Sequence, residues 1–552
     1  MLKQISQIFT IKFISVLIIS FPSAIIADYF NIPLAWFLGP MIITSIAALS
    51  GLKILMPKII LSFILFLSET PTILSLLLKT LILSICFFKI RPQPTIKIFF
   101  IIVLFLLSGC STTKEKYDRD LPSLPSDWSS SYQSLKEIDG WAETFNDEEL
   151  LKLISEALEN NKDLKIASSR LDIARASSRA SIAPLLPTIG TNVSRIQSSV
   201  IIDNQNNPER VYAYQDSLGV QLNWEVDIWG KLSRQSRSTY KDLESAEADL
   251  EFARLSIAGL TAQSWYLFSE AKLQRDLAER NLETRISTLK KVENRYIKGI
   301  AQSRDLRLAR SEVESTRADL INKQQIFNET ARTLEVIIGR YPEANIVPGD
   351  LPSIPQNPNI GTPAERLPLR PDIRSLEAQI ESAGLQLTST RLAFLPSVSL
   401  NAQWNTLEDN WSDALEPDRL AGSIVGSITQ SIFQGGRRIA NSKIKKAQLE
   451  AILETYAQAL LAAAQEAENA IAAEETLTKR EIAISKAFEE SKAAEELTLD
   501  QYNRGLSTIF ELLNAQSRRL NSESLLINAK RLRLTNRIKM YMAIATPVYG
   551  KN

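Results

Sequence analysis

Residues Leu218–Ile228 read Leu-Gly-Val-Gln-Leu-Asn-Trp-Glu-Val-Asp-Ile. Apolar side chains stand at every second position, and polar or glycine residues fill each place between. Successive side chains of a strand point to opposite faces, so this run has one apolar and one polar face. About 11 residues is also the length a tilted strand needs to cross an outer membrane. A second run repeats the pattern: Val398, Leu400, Ala402 and Trp404 alternate with Ser397, Ser399, Asn401 and Gln403. Thr188–Val200 and Gly422–Phe433 fit as partners, which places strands at about 188–200, 211–228, 397–405 and 420–433. Asn204–Pro208 and Glu408–Pro417 are polar and turn-rich, as exposed connections are. Two half-buried hairpins of a soluble sandwich would show the same alternation. Tryptophans at Trp224, Trp229 and Trp404 favour membrane interfaces instead.

The strands alternate with very long helices. Lys231–Arg295 and Arg437–Tyr502 contain no proline, and each spans about 100 Å at 1.5 Å per residue. In the first, Leu243, Ala246, Leu250, Ala253, Ile257, Leu260, Ser264, Leu267 and Ala271 step by threes and fours, as a coiled-coil seam does. In the second, Leu449, Ile452, Leu453, Tyr456 and Leu460 make a similar face ahead of alanine-rich turns.

The chain is duplicated. Asp163-Leu164 and Pro187-Thr188-Ile189 recur as Asp372-Ile373 and Pro396-Ser397-Val398. Tyr296–Ile300 with Asp305-Leu306 recurs as Tyr502–Leu506 with Glu511-Leu512. The unit reads helix, strand, strand, long helix, helix. The expected organisation is a tether and equatorial segment at 110–146, a first repeat at 147–342, a linker and equatorial segment at 343–364, a second repeat at 365–545 and a tail at 546–552.

What precedes is different in kind. Residues 1–93 are mostly apolar, with runs near the roughly 20 residues of a membrane span. Residues 94–109 hold a lysine, the apolar run Ile98–Leu107 and small residues, which is the layout of a signal peptide. Leu107-Ser108-Gly109-Cys110 resembles the lipobox of bacterial lipoproteins, which implies a lipid on the Cys110 thiol, and Ser111 after it favours the outer membrane. Residues 21–57, with Ile32-Pro33-Leu34-Ala35-Trp36-Phe37-Leu38-Gly39-Pro40, resemble AbrB-like membrane proteins, implying a gene fusion or a misassigned start.

Composition removes most chemistry. The chain has no histidine, two cysteines (Cys86 and Cys110), and 63 basic against 62 acidic residues. Histidine triads and thiolate metal clusters are excluded, and a nucleic-acid partner would call for a basic excess. No catalytic residue, metal site or cofactor is expected beyond the lipid. Four strands cannot close a barrel, because the smallest have about eight, and an open edge in lipid leaves backbone groups unsatisfied. Three copies sharing twelve strands, with helices continuing as a tube, would resolve this. The expected fold is mixed α and β, a shared outer-membrane β-barrel continuing into a coiled-coil periplasmic tunnel.

From Cys110 onward the sequence resembles the outer-membrane efflux proteins of the TolC/OprM/NodT type. The carriers are Leu369-Arg370-Pro371-Asp372-Ile373, Leu395-Pro396-Ser397, Trp229-Gly230-Lys231, Phe433-Gln434-Gly435-Gly436-Arg437, Tyr502–Leu512 and Asn514-Ala515-Gln516. The resemblance implies a homotrimeric exit duct of a tripartite pump, passively exporting small molecules such as drugs. It also implies a periplasmic adaptor and an inner-membrane RND-type pump as partners. The duct of a type I secretion or heavy-metal efflux system is the alternative; a trimeric adhesin or structural lipoprotein is the alternative of another class. The resemblance further implies that Gly299, Ile300, Gly505 and Leu506 form adaptor-docking tips. It places Asp305, Glu511, Asn514, Tyr296 and Tyr502 at the periplasmic aperture, where a family arginine after the tyrosine is replaced by Ser507. Carboxylates gathered in a narrow pore would raise one another's pKa and favour cations.

Overall fold

The computed structural model describes residues 124–130, 140–204 and 207–550. The apolar extension, the signal-like run and Cys110 lie outside the described residues. The duplicated unit is present. In the first copy α1 (Glu148–Asn160) and α2 (Lys162–Ala180) lead into β1 (Thr188–Asn204) and β2 (Asn207–Val226), followed by α3 (Lys231–Ile297) and α4 (Ser303–Ile337). In the second, α5 (Pro371–Leu392) leads into β3 (Ser397–Asn405) and β4 (Ala421–Thr429), followed by α6 (Arg437–Arg504) and α7 (Ile509–Ala543).

The four strands form one antiparallel sheet in the order β1-β2-β3-β4. Its register sorts the side chains. Val193 stands opposite Leu218, Ile189 opposite Leu222, Trp224 opposite Leu400 and Val398 opposite Ile428, all on one face. Gln221 opposite Gln403, Asn223 opposite Asn401 and Ser399 opposite Ser427 occupy the other. Ile189, Val193, Ile424 and Ile428 are exposed. No second sheet covers this apolar face among the described residues, which is the arrangement of a barrel wall and not of a sandwich.

The strand ends differ from those expected. The Asn204–Pro208 stretch is a tight hairpin, because Asn204 pairs with Asn207 and β1 and β2 run 17 and 20 residues. Apolar alternation marks the part of a strand that faces lipid, whereas pairing continues past it through polar residues. β2 stops at Val226, and the Asp227 carboxylate accepts the Leu232 and Ser233 amides to open α3. β4 stops at Thr429, the partner of Ser397, and Ile432 and Phe433 are exposed. The Glu408–Pro417 connection folds back on the sheet. Glu408 bridges to Asp216, a helical turn spans Trp411–Ala414, and buried Asp216 takes a bidentate pair from Arg195 at 2.6 Å. Two tryptophans tie the helix-side end of the sheet: Trp224 donates to the Leu185 carbonyl and Trp229 to the Pro396 carbonyl.

α3 and α6 run 67 and 68 residues. The main core lies halfway along α3, where Trp265, Tyr266 and Phe268 pack with Trp141, Phe145, Leu334, Ile538 and Tyr541. The Trp141 and Tyr541 rings stack at 6.2 Å. There the Trp141 and Ala142 amides donate to the Pro547 and Val548 carbonyls, joining the two ends of the described fold. The coiled-coil seam holds in part: Leu250, Ile257 and Ala271 are buried, but Leu260 and Leu267 are exposed in the protomer. The motif ahead of α5 has a clear purpose. Pro371 opens the helix, and Arg370 pairs bidentately with Asp372 while reaching Glu466 and the Ala543 carbonyl.

Candidate channel aperture and docking tips

Each long helix ends in the same device. Gly299 has φ +75° and Gly505 φ +80°, a conformation a Cβ disfavours. The Gly299 amide donates to the Tyr296 carbonyl and the Ile300 amide to the Arg295 carbonyl. In the second copy Gly505 and Leu506 donate to Tyr502 and Gln501. This paired bonding is a Schellman ending. Ile300 and Leu506 are exposed at the turns, together with Ile297 and Phe510, which the sequence reading did not single out.

The returning helices begin with capping boxes. Gln302 pairs with Asp305 ahead of α4, and Thr508 pairs with Glu511 ahead of α7. Glu511 Oε2 accepts from the Thr508 amide at 2.7 Å, the Ser507 hydroxyl at 2.7 Å and the Thr508 hydroxyl at 3.0 Å. These bonds hold its carboxyl below the usual glutamate range, led by the Thr508 amide. Within one chain the shift is therefore opposite to the one that mutual repulsion would give. Asn514 is exposed, with its amide oxygen accepting from Arg518 at 3.3 Å.

Tyr296 and Tyr502, at matching positions of the two repeats, differ in surroundings. Tyr296 is 43% exposed, whereas Tyr502 is 5% exposed among Val292, Leu306, Ile509, Leu512 and Leu513. Burial pushes the Tyr502 phenol up, against the Arg295 charge that lowers it. Arg295 donates to the Tyr502 carbonyl at 2.6 Å and lies 4.7 Å over its ring. The arginine beside Tyr502 thus comes from the other repeat. Its sequence signal is a mismatch between copies, since Gln501 stands where Arg295 stands in the first.

Further along α3, Arg285 is buried against α7. It donates to the Leu513 carbonyl, to Gln516 at 2.9 Å and to Ser517 at 2.7 Å, and burial lowers its pKa. Gln516 also donates to Thr288 at 3.2 Å. These contacts join the first helical hairpin to the second above the tips. The described residues contain no group of acidic or cysteine side chains placed to hold a metal ion.

The profile of the outer membrane efflux proteins matches residues 153–340 and 363–546, one stretch for each repeat. The probable outer membrane lipoprotein SilC of Salmonella typhimurium is 23% identical over 81% of this chain and 98% of its own length. The pyoverdine export outer membrane protein OpmQ of Pseudomonas aeruginosa is 26% identical over 80% of this chain and 94% of its own. Among solved structures, the outer-membrane channel OprN superposes with a TM-score of 0.71 at 24% identity, over 77% of this chain and 97% of OprN. A duplicated helix–strand–strand–helix–helix unit, a sheet with one lipid-type face and a profile match across both repeats lead to one conclusion: the chain belongs to the outer membrane efflux protein family and is an outer-membrane efflux channel.

Proposed function

We propose that three copies of the chain close a twelve-stranded barrel and act as the passive exit duct of a tripartite efflux pump, carrying small molecules such as drugs. The observation that carries this reading is the sheet. It has an apolar face, a polar face and two edge strands, β1 and β4, with no further strand beside them among the described residues. In lipid every edge must be paired, and β1 of one copy against β4 of the next pairs them all. The polar face then lines the lumen. A lipid on Cys110 would anchor the duct from its periplasmic side.

The tips at Gly299-Ile300 and Gly505-Leu506 suit contact with a periplasmic adaptor, itself bound to an inner-membrane RND-type pump. Their exposed isoleucine and leucine offer apolar knobs on rigid turns. Asp305, Glu511 and Asn514, with Tyr296 and Tyr502, would stand at the narrow end. An adaptor that binds the open arrangement better shifts the population towards it, and the Arg295–Tyr502 contact is a bond that opening must strain.

Purified protein in a planar bilayer tests the duct directly. We expect a small, cation-preferring conductance without any energy source, and a larger one for Arg295→Ala. A bilayer silent with both proteins would overturn the reading.

A further inference from the structure

A cavity of about 430 Å³ opens between α3, α4 and α7, on the tip side of the main core. Leu267, Ile326 and Leu525, one from each helix, line it and are exposed in the protomer. Its polar residues are mostly satisfied. Glu270, 8% exposed, uses both carboxylate oxygens: Oε2 accepts from Arg531 at 2.6 Å and Oε1 from Asn528 at 3.0 Å. Ser524 donates to Gln274 Oε1 at 2.8 Å, and Gln274 returns a bond to the Ser524 carbonyl at 3.0 Å. Lys323 is the exception. It lines the cavity, half-buried, and makes no ion pair among the described residues. With Glu270 neutralised by Arg531, the cavity carries one cation in excess.

The cavity lies on the bare side of the helices. Trp265 donates to Asp147 at 2.8 Å and Lys272 pairs with Asp350 at 3.0 Å, so the segments before α1 and after α4 cover that side of α3. Side chains turn by about 100° per residue. Leu267, two places from Trp265, and Gln274, two from Lys272, therefore point nearly the opposite way. On α7, Arg537 donates to the Pro355 and Gln356 carbonyls of the same connection. Asn528 stands about two and a half turns from it, again on the opposite side. Segments threaded through a lumen would block it, so in a duct the covered side is the outer one and the cavity faces inward.

Coil pairing alone does not produce this site. Tyr296 and Tyr502 stand 206 residues apart, as do Asp305 and Glu511, so α3 and α4 map onto α6 and α7. Glu270 then falls on Thr476, and Lys323 falls on Ala529, which is buried. The charged set occurs in one repeat only.

We propose that the cavity is a transit site where the duct wall takes up amphipathic monoanions, the apolar body on Leu267, Ile326 and Leu525 and the anionic group on Lys323. The inference rests on the duct reading and adds a substrate class to it. The volume suits a drug-sized molecule. Covering three exposed aliphatic side chains drives uptake, and a half-open cation holds the acid without the desolvation cost of a closed pair. Such a site has to stay weak, because a site on a conduction path must release what it takes up. Lys323 lies 18 residues along α4 from Asp305, about 27 Å, so acidic groups at the tips are screened from it at physiological salt.

Cysteine protection reads the site in purified protein held in nanodiscs. Leu525→Cys is alkylated with N-ethylmaleimide, with and without excess 2-naphthalenesulfonate, and the unsubstituted protein gives the background. The sulfonate should slow alkylation roughly fivefold once the site is mostly filled. Adding Lys323→Gln should abolish the protection, and Lys323→Arg should keep it, which shows that the fold is intact. The cation 1-naphthylmethylammonium should protect neither. Ile321→Cys, exposed on α4 outside the cavity, should react at one rate throughout. No protection of Leu525→Cys, or equal protection with Lys323→Gln, overturns the site, and a conducting bilayer then leaves the duct standing. Protection together with a bilayer silent for the natural chain and Arg295→Ala alike would leave a binding site off any export path, and overturns the cargo role.

Discussion

Arg295 and Tyr502, 207 residues apart in sequence, meet at the foot of the two helical hairpins: the guanidinium bonds the Tyr502 carbonyl at 2.6 Å and covers its ring at 4.7 Å. The contact joins the first repeat to the second next to both tips. A partly desolvated cation–π contact with a charge-assisted hydrogen bond is worth about 1–2 kcal/mol. Arg295→Ala should therefore raise the open population by roughly tenfold. Single-channel recording checks this, and an unchanged open fraction would mean that the contact is not strained on opening. Arg295→Lys keeps the charge but loses the planar stack, and should fall between the two.

Glu511 makes the second tip sensitive to acid. Its folded pKa lies below its unfolded value, so the cap contributes fully above the unfolded pKa and is lost as pH falls through the folded one. Amides of residues 507–512 should exchange faster as pH drops below about 4, after correction for intrinsic exchange. Glu511→Gln preserves a capping-box side chain and should remove that pH step while leaving neutral-pH exchange nearly unchanged. The same variant separates cap from charge: if Glu511 lines the aperture, cation preference falls although the tip stays folded.

Gly505 sets the angle of the turn through its positive φ. Gly505→Ala should cost about 1 kcal/mol in tip stability, and Gly505→Asn less, because asparagine tolerates the left-handed region. Local exchange around residues 501–508 measures the order. Equal effects for both variants would place the glycine's importance elsewhere, in contact with a partner.

Arg370 fastens the start of α5 to α6 and to the end of α7. Arg370→Ala leaves Asp372 and the Ala543 carbonyl without this partner and should cost about 2–3 kcal/mol. Thermal unfolding of the detergent-solubilised protein, followed by helical circular dichroism, should show a clear drop in midpoint. Arg370→Lys should recover part of it through the single remaining charge.

The parts of this fold legible in sequence are those with a period. Alternation in Leu218–Ile228 and Ser397–Trp404 marks the lipid-facing strands, and proline-free runs with seams mark α3 and α6. Strand ends were not legible, because pairing such as Asn204 with Asn207 depends on the partner strand and leaves no hydropathy signal. The Thr508–Glu511 box is a local pattern and could have been read as a helix start, which explains the carboxylate's position without reference to a pore. Arg295 could not be assigned from local sequence, since its partner lies in the other repeat. The duplication is the exception: it relates residues far apart, and the mismatch between Arg295 and Gln501 at matching positions singles out the arginine that packs on Tyr502.

Sharing of one barrel by several copies is read most plainly from the native mass of protein extracted from separated outer membranes. We expect a trimer in the outer-membrane fraction, each chain beginning at a lipidated Cys110. A monomer, or a chain retained in the inner membrane with residue 1 intact, would contradict it.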